Sequence, residues 1–453
     1  MTMKQPLRTT GLDTIAACAT APVRSAIGVL RLSGPDALKI TRAVFHKKTL
    51  IPRRMTFGGF YAGSTRIDEG LAVYLPAPNS YTGEDTVELY CHGSPGVLEA
   101  LLDALYEAGA RPAEPGEYTR RAYENGRLDL AQAEAVIDLI DSETRAAAKN
   151  AAAQLSGALG KKIFPIRDAL VELAAHFSAV IDYPDDDVPE FFGSDALKTL
   201  ETADEALEKL VRSFSDGQIL RSGAACVLAG APNVGKSSLL NALTGEDRAI
   251  VTDIPGTTRD VVEMQVVWEG FTVRLLDTAG LRESSDPIER EGVRRTAKAV
   301  ENASLVLAVF DGTRETAELS DLTALPEGVP VIAVVNKSDL PRKLPPTAFP
   351  QELTVSAATG EGIAELREAM IKALRLRTIA ADGSVVTNPR QLSALKRAQS
   401  AIRRAREALA MGITPDAVMC DIEETAEILG EITGQSASED ILSAIFSRFC
   451  VGK

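Results

Sequence analysis

The chain has 453 residues, 45% of them hydrophobic and 25% charged, with a formal net charge of −14. This fits an ordinary globular protein of about three domains; the acidic balance argues against blanket electrostatic binding of nucleic acid and leaves a local basic face open. No apolar run approaches the roughly 20 residues a membrane helix needs, Asp13 interrupts any apolar signal segment after Lys4 and Arg8, and five scattered cysteines without CxxC spacing point to reduced thiols and a cytoplasmic setting.

Residues 1–126 read as a mixed α/β domain. Short β-like runs ("AIGVLRLSG", "GLAVYLPAP", "DTVELYCHG") are separated by Gly, Pro and Asn punctuation, and "GVLEALLDALYEAGA" reads as one amphipathic helix. Residues 127–222 change character. "LDLAQAEAVIDLIDSETRAAAKNAAAQLSGALGKKI" is rich in strong helix formers, "IRDALVELAAHFSAVID" is a second helical stretch, and a further helix runs to about Val211. The three aspartates of the intervening "DYPDDDVPE" read as a solvated loop with a helix cap rather than as a metal site. With only three histidines in the chain, no histidine-rich metal centre is expected either.

Residues 223–379 alternate strand and helix. "AACVLAG", "FTVRLLDTAG", "SLVLAVFDG", "VPVIAVVNKSD" and "LTVSAATG" are apolar runs ending in polar loops, the pattern of a parallel sheet covered on both faces. Residues 380–453 are helical again. Because short helices cannot bury themselves alone, the two helical stretches are expected to pack together around the inserted α/β domain. The final "SRFCVGK" puts an aromatic and a thiol where chain ends usually fray. The bland reading is a helix end docked in a core, with Cys450 as a core side chain; the sharper one is a tail delivered into a site.

"GAPNVGKS", residues 230–237, lies between a strand-like run and the helical "SLLNAL". That is the context of a P-loop, whose glycines let backbone N–H groups wrap phosphates at a helix N-terminus. Lys236 would reach the β- and γ-phosphates and Ser237 would ligate Mg²⁺. "DTAG", residues 277–280, ends a strand where Asp277 can approach the metal shell and Gly280 can donate to a γ-phosphate. In "NKSD", Asp339 can accept from guanine N1–H and N2–H₂, which adenine cannot supply, with Asn336 and Lys337 supporting the base. Ser356, Ala357 and Ala358 present N–H groups to guanine O6. Four such motifs in this order, each at a strand end, select GTP. The nucleotide shell then comprises Asn233, Val234, Gly235, Lys236, Ser237 and Ser238; Thr252, Asp253, Ile254, Pro255, Gly256, Thr257 and Thr258; Asp277, Thr278, Ala279 and Gly280; and the base-contacting residues just named.

Position 281, where a water-orienting glutamine stands in Ras-type enzymes, is Leu281. Asn233 offers a carbonyl oxygen near the β- and γ-phosphates. A monovalent cation held by Asn233 and switch-loop carbonyls can replace an arginine charge, and Glu289 in "DPIER" is a candidate to position the water.

These residues, together with "LRLSG", "PNSYTGEDTVEL", "PGEYTRRAYENGRLDLAQAEAVIDLID", "IVTDIPGTTRD", "DTAGLRE" and "FCVGK", resemble the MnmE (TrmE) family of tRNA-modification GTPases over the whole chain. The resemblance implies a multidomain α/β protein: an N-terminal α+β folate-binding domain that dimerises (1–126), a helical domain made from two segments (127–222 and 380–453, the latter carrying the "FCVGK" tail), and an inserted P-loop G domain of Ras-like fold (223–379). It implies a K⁺-dependent GTPase, a homodimer, and a heterotetramer with the FAD-containing MnmG. Together these would place aminomethyl or carboxymethylaminomethyl groups on C5 of the tRNA wobble uridine, using 5-formyl-tetrahydrofolate or a related folate. Carried over by position, Asn233, Thr252, Ile254 and Thr257 would surround K⁺, Ser237 and Thr258 would ligate Mg²⁺, and Glu289 would position the hydrolytic water. Arg31, Glu88, Arg127 and Lys453 would line the folate site, with Cys450 beside it. Arg127 stands where the family often has Lys, and Val451 where Ile is usual.

On this resemblance the basic run "LKRAQSAIRRAREAL" (395–409) has a sharper reading, a tRNA-backbone contact, beside its default as a solvated helix face. The alternative function is a ribosome-assembly GTPase without one-carbon chemistry. The G-domain motifs do not separate the two; the N-terminal domain and the tail do.

Overall fold

Strict alternation sets up the first sheet: in "VLRLS" Leu30 and Leu32 are buried while Arg31, between them, points to the opposite face. The computed structural model describes residues 13–46, 49–182, 194–245, 262–277, 303–316 and 328–453. The chain divides into two units, one from residues 1–137 and 427–453, the other from residues 138–426.

The first unit holds β1 (Ile15–Cys18), β2 (Ser25–Ser33), α1 (Ala37–Val44), β3 (Thr56–Ala62), β4 (Thr65–Leu75), β5 (Thr86–Gly93), α2 (Pro95–Glu107), β6 (Arg111–Pro112), α3 (Glu117–Glu124) and most of α4 (Leu130–Ile140). The strand order is β3-β4-β5-β2-β1-β6, antiparallel except for the β1–β6 pair. Leu30, Leu32, Val87 and Leu89 pack with Ile40 of α1 and Leu98, Leu101 and Leu105 of α2. The apolar spacing along α2 is that of a helix laid on a sheet.

A buried ion network pins the loops at the far edge of this sheet. The Arg121 guanidinium, 3% exposed, donates to Glu117, Glu84 and both the carbonyl and carboxylate of Asp13; Arg111 forks onto Glu117 from the other side. "PGEYTRR" and "SYTGED" are therefore tied together by charge.

The segment 449–453 belongs to this unit. Phe446, at the end of the helix Glu439–Phe446, lies 6.3 Å from Tyr123 and 5.7 Å from Phe449 between ring centroids. Val451 bridges Pro115, and a Cβ at Gly452 would fall 2.2 Å from the Cys18 carbonyl. Gly116, at φ +69°, admits the tail: a Cβ there would meet the Phe446 carbonyl at 2.6 Å. Phe449 is buried but Cys450 is exposed. The core reading of Cys450 is thus corrected: Phe449 supplies the anchor and the thiol faces outward.

In the second unit the long helical stretch is cut into pieces. α4 ends at Ile140, Thr144 caps α5 (Arg145–Leu155) by accepting from the Ala147 amide at 3.2 Å, and Gly157 at φ +83° separates α5 from α6 (Gly160–Asp182). α7 (Ser194–Arg212) and α8 (Phe214–Ser222) lead into a second sheet built from β7 (Ala224–Ala229), β8 (Val262–Trp268), β9 (Phe271–Asp277), β10 (Leu305–Asp311), β11 (Val331–Asn336) and β12 (Glu352–Thr354). α9 (Lys236–Thr244) follows β7, and α10 (Ile363–Ala373) follows β12. The order is β12-β11-β10-β7-β9-β8, parallel throughout except for β8. β7 and β10 are buried along their whole length, as parallel strands covered on both faces must be. β8 is an antiparallel edge strand that the sequence reading did not single out.

α11 (Pro389–Ala410) runs against α7, and three of its arginines pair with acids of neighbouring helices. Arg403 and Arg406 converge on Asp204, each at 3.0 Å, and Arg404 pairs with Asp421 and Glu424. The basic run thus acts in part as an internal ion-pair ladder. Where the chain leaves the second sheet, Gln154 donates to the Val385 carbonyl at 2.7 Å and Asn150 accepts from the Gly383 amide at 2.9 Å, joining the two helical stretches.

Arg121→Ala should destabilise the first unit by about 3 kcal/mol, because Glu84 loses its guanidinium partner and buried Glu117 keeps only Arg111; thermal denaturation checks this. Burial alone would raise the Glu117 carboxyl, but the Arg111 fork, the Glu114 amide and Arg121 outweigh it and hold it below the ordinary 4.5. Its stabilisation is complete at neutral pH and fades as the pH drops from 4.5 through the folded value. Stability measured across that window should fall for the wild type and fall less for Arg121→Ala.

Candidate functional site

The P-loop leaves β7 at Ala229 and enters α9 at Lys236. Two close approaches dictate its glycines. A Cβ at Gly230 would lie 2.2 Å from the Val309 carbonyl, and one at Gly235, whose φ is +95°, would lie 2.3 Å from the Asn336 amide nitrogen. Asn233 takes the left-handed conformation at φ +64°, which asparagine tolerates better than most residues. Lys236 is buried and donates to the carbonyls of Gly230 and Ala231, spanning its own loop. Val234 is buried beneath the loop, and Ser238 follows Ser237 in the first turn of α9. The N–H groups and dipole of a helix N-terminus favour an anion.

The Ser237 hydroxyl donates to Asp277 Oδ2 at 2.8 Å. Asp277 stands at the end of β9, opposite Leu228 of β7, so sheet register delivers it to the P-loop. Two hard oxygens at this separation suit a divalent cation of the Mg²⁺ type.

The loops after β11 and β12, expected to meet the base, are locked to the P-loop. Asn336, 2% exposed, donates from Nδ2 to the Val234 carbonyl at 3.0 Å and accepts on Oδ1 from the Ala357 amide at 3.0 Å. Asp339 Oδ1 accepts from the Ser356 hydroxyl at 2.6 Å, and Ala358 follows in the same turn. Lys337, at φ +68°, reaches the Asn233 carbonyl at 3.3 Å and Asp311 Oδ2 at 2.6 Å. Burial would raise the Asp311 carboxyl, but the Lys337 ammonium and the Thr313 hydroxyl and amide outweigh it and hold it below the ordinary range. Sequence reasoning missed Asp311. Its signal was an acid closing the otherwise apolar run "SLVLAVFD". Thr252, Asp253, Ile254, Pro255, Gly256, Thr257, Thr258, Thr278, Ala279, Gly280, Leu281 and Glu289 lie outside the described residues.

In the first unit, Arg31 of β2 stands opposite Glu88 of β5 in register, and its guanidinium meets Glu88 Oε1 from Nε at 3.0 Å and Nη2 at 2.8 Å. The guanidinium also lies over the rings of Tyr81 and Tyr118, at 5.5 and 5.8 Å. Tyr90 donates to Glu88 Oε2 at 2.7 Å; burial, reinforced by that carboxylate, pushes its phenol up to about 12, so it remains a donor at neutral pH. These three tyrosines were also missed, although each sits inside a motif quoted above. Arg127 lays its stem along Gly83, where a Cβ would be 3.3 Å from its Cγ, and the Lys453 amide donates to the Cys450 carbonyl at 3.3 Å. Arg31 and Glu88 thus meet directly, while Arg127 and Lys453 share the unit with partners of their own.

The model of the MnmE helical domain matches residues 130–450, and that of the N-terminus of GTP-binding protein TrmE matches residues 14–127. Three relatives named tRNA modification GTPase MnmE, from Akkermansia muciniphila, Roseiflexus sp. and Aquifex aeolicus, are 45%, 44% and 41% identical to this chain. Each alignment covers 97% of this chain and at least 99% of the relative. Two family models in tandem, with relatives matched along nearly their whole length, show that this chain belongs to the MnmE (TrmE) family.

Proposed function

We propose that this protein is a K⁺-dependent GTPase that works with the FAD-containing MnmG to install aminomethyl or carboxymethylaminomethyl groups on C5 of the wobble uridine of certain tRNAs, drawing on a folate one-carbon unit. GTP hydrolysis in the service of tRNA modification is the coarse activity. The observation that carries it is that the similarity runs through both units, 97% of the chain, rather than through the nucleotide loops alone. A ribosome-assembly GTPase has no need of the first unit or its docked tail. A tRNA substrate implies a cytoplasmic protein, and among the described residues no helix is long and apolar enough to cross a membrane.

The nucleotide is held by the P-loop amides and Lys236, and the carboxylate of Asp339 selects guanine by accepting from its N1–H and N2–H₂. Ser237 and Asp277, with Thr258, would hold Mg²⁺, which neutralises developing phosphate charge when bound. Asn233 at the crest of the P-loop is suited to a K⁺ ligand, with Thr252, Ile254 and Thr257 completing its shell, and Glu289 would position the water. The folate reading is supported by the Arg31–Glu88 pair inside a tyrosine cluster: a cation for a glutamyl carboxylate, an acceptor for pterin N–H groups, and aromatic faces for the ring. Arg127, Lys453 and Cys450 would complete that site. The homodimer reading is supported by a cross-strand row, Phe57–Leu71–Tyr90–Val29, that ends on Phe57 at 58% exposure.

Three outcomes follow from this assignment. GTP hydrolysis should run much faster in K⁺ than in Na⁺, and Asn233→Ala should abolish the difference; equal wild-type rates in the two salts would remove the cation role. Asp339→Asn replaces an acceptor of guanine protons with an amide donor. It should weaken GTP binding by about tenfold to a hundredfold and improve binding of xanthosine triphosphate, whose C2 carbonyl can accept; calorimetric titration with both nucleotides reads this directly. Cys450→Ser exchanges an exposed atom, so melting temperature and GTPase rate should stay at wild-type values while wobble-uridine modification, measured by mass spectrometry of tRNA, is lost. Full modification in that variant would eliminate the thiol from the chemistry.

A further inference from the structure

The turn that closes β10, "DGTR", is not part of any nucleotide motif, yet it reaches the crest of the P-loop through two cations. Asp311 is 6% exposed. Its Oδ1 accepts from the Thr313 amide at 2.9 Å and hydroxyl at 2.7 Å, which aims Oδ2 at the Lys337 ammonium at 2.6 Å. Lys337 in turn donates to the Asn233 carbonyl at 3.3 Å. Arg314 Nε lies 3.8 Å from the same Oδ2, and its Nη2 donates to the Pro232 carbonyl at 3.1 Å. Two consecutive P-loop carbonyls are thus drawn outward by cations that share one carboxylate.

In a planar trans peptide the C=O of one residue and the N–H of the next point in opposite directions. Drawing the Pro232 and Asn233 carbonyls toward Arg314 and Lys337 therefore turns the Asn233 and Val234 N–H groups the other way, into the loop. A peptide flip here would replace an N–H donor with a carbonyl oxygen facing an anion. Asn233 sits in the left-handed region at φ +64°, and the two carbonyl contacts hold the peptides on either side of it in that orientation.

We propose that Asp311 is a positioning residue for nucleotide binding: through Lys337 and Arg314 it fixes the peptide orientations at Pro232–Val234, so that the P-loop presents N–H groups to the phosphates. This rests on the GTPase reading of the site. Asp311 touches no nucleotide; it acts through the two cations.

The test is release of a fluorescent GDP analogue from the full-length protein, followed by stopped flow. Asp311→Asn should speed release about tenfold or more, the scale of a lost charge-assisted bond, and Asp311→Glu should recover part of the loss. Because Asp311 works mainly through Lys337 and otherwise through Arg314, the double variant Asp311→Asn/Lys337→Met should release within about threefold of Lys337→Met alone, the share left to Arg314. Arg314→Ala, at a partly exposed position that the fold tolerates, should speed release by about threefold and keeps the test open if Asp311→Asn fails to fold. A purely structural role would lower the melting temperature and leave release from the folded protein unchanged. Wild-type release rates in Asp311→Asn or in Arg314→Ala, or additive effects in the double variant, overturn the proposal. A wild-type protein that binds no GDP overturns the GTPase reading instead.

Discussion

One buried amide holds the nucleotide loops in a single arrangement. Asn336 ends β11 and spends its side chain on two other loops, donating to Val234 in the P-loop and accepting from Ala357 after β12. The three segments come from different strands, and nothing local in any of them fixes their separation. The parallel sheet brings their ends to one edge, and the amide sets the final spacing. This is also why Gly235 has no room for a side chain: its α-carbon is packed against the amide nitrogen of Asn336. Shifting Asn336 would displace the P-loop and the loop after β12 together.

The first unit works by a different constraint. Its sheet is antiparallel and one face is covered by α1 and α2, so the alternate residues of β2 and β5 are presented on the other. Arg31 and Glu88 occupy that second face in register, and the tyrosines gathered around them enclose the ion pair in aromatic surface. Exposed pairs contribute little by themselves. This pair is mostly buried, with 16% exposure on each side chain, so its partners and the aromatic faces decide what it can bind. The Arg121 network next to it is structural. It ties "SYTGED" to "PGEYTRR" and so holds Tyr81 and Tyr118 where they meet Arg31.

Charge in the second unit is used inward. Asp204 is a buried acid that draws Arg403 and Arg406 of α11 onto α7, and Gln399 adds a third donor. A basic stretch whose default reading is a solvated helix face, with a nucleic-acid contact as the sharper one, is in the fold partly a set of helix–helix ion pairs. The net charge of the chain is unchanged by this, but the positive potential available to an outside partner is smaller than the count of arginines implies.

The amino-acid sequence alone determined the four nucleotide motifs, the β-like runs of the first unit and the parallel character of the second sheet; the Thr144 cap is equally local, although the stretch around it reads as helical throughout. Each of these is set by neighbours within a few residues: a glycine spacing, a period of two or 3.6, a cap. The tertiary structure decided what meets across long separations. Arg31 meets Glu88, Asp311 meets Lys337, Asp204 meets Arg403, and Pro115 meets Val451 only because strand register and helix packing bring those segments together. The sequence also left Cys450 with two readings, because a docked chain end with an aromatic next to a thiol does not say which of the two is buried. The answer came from the close approach at Gly116 and Gly452, which seats Phe449 beside Phe446 and turns Cys450 outward.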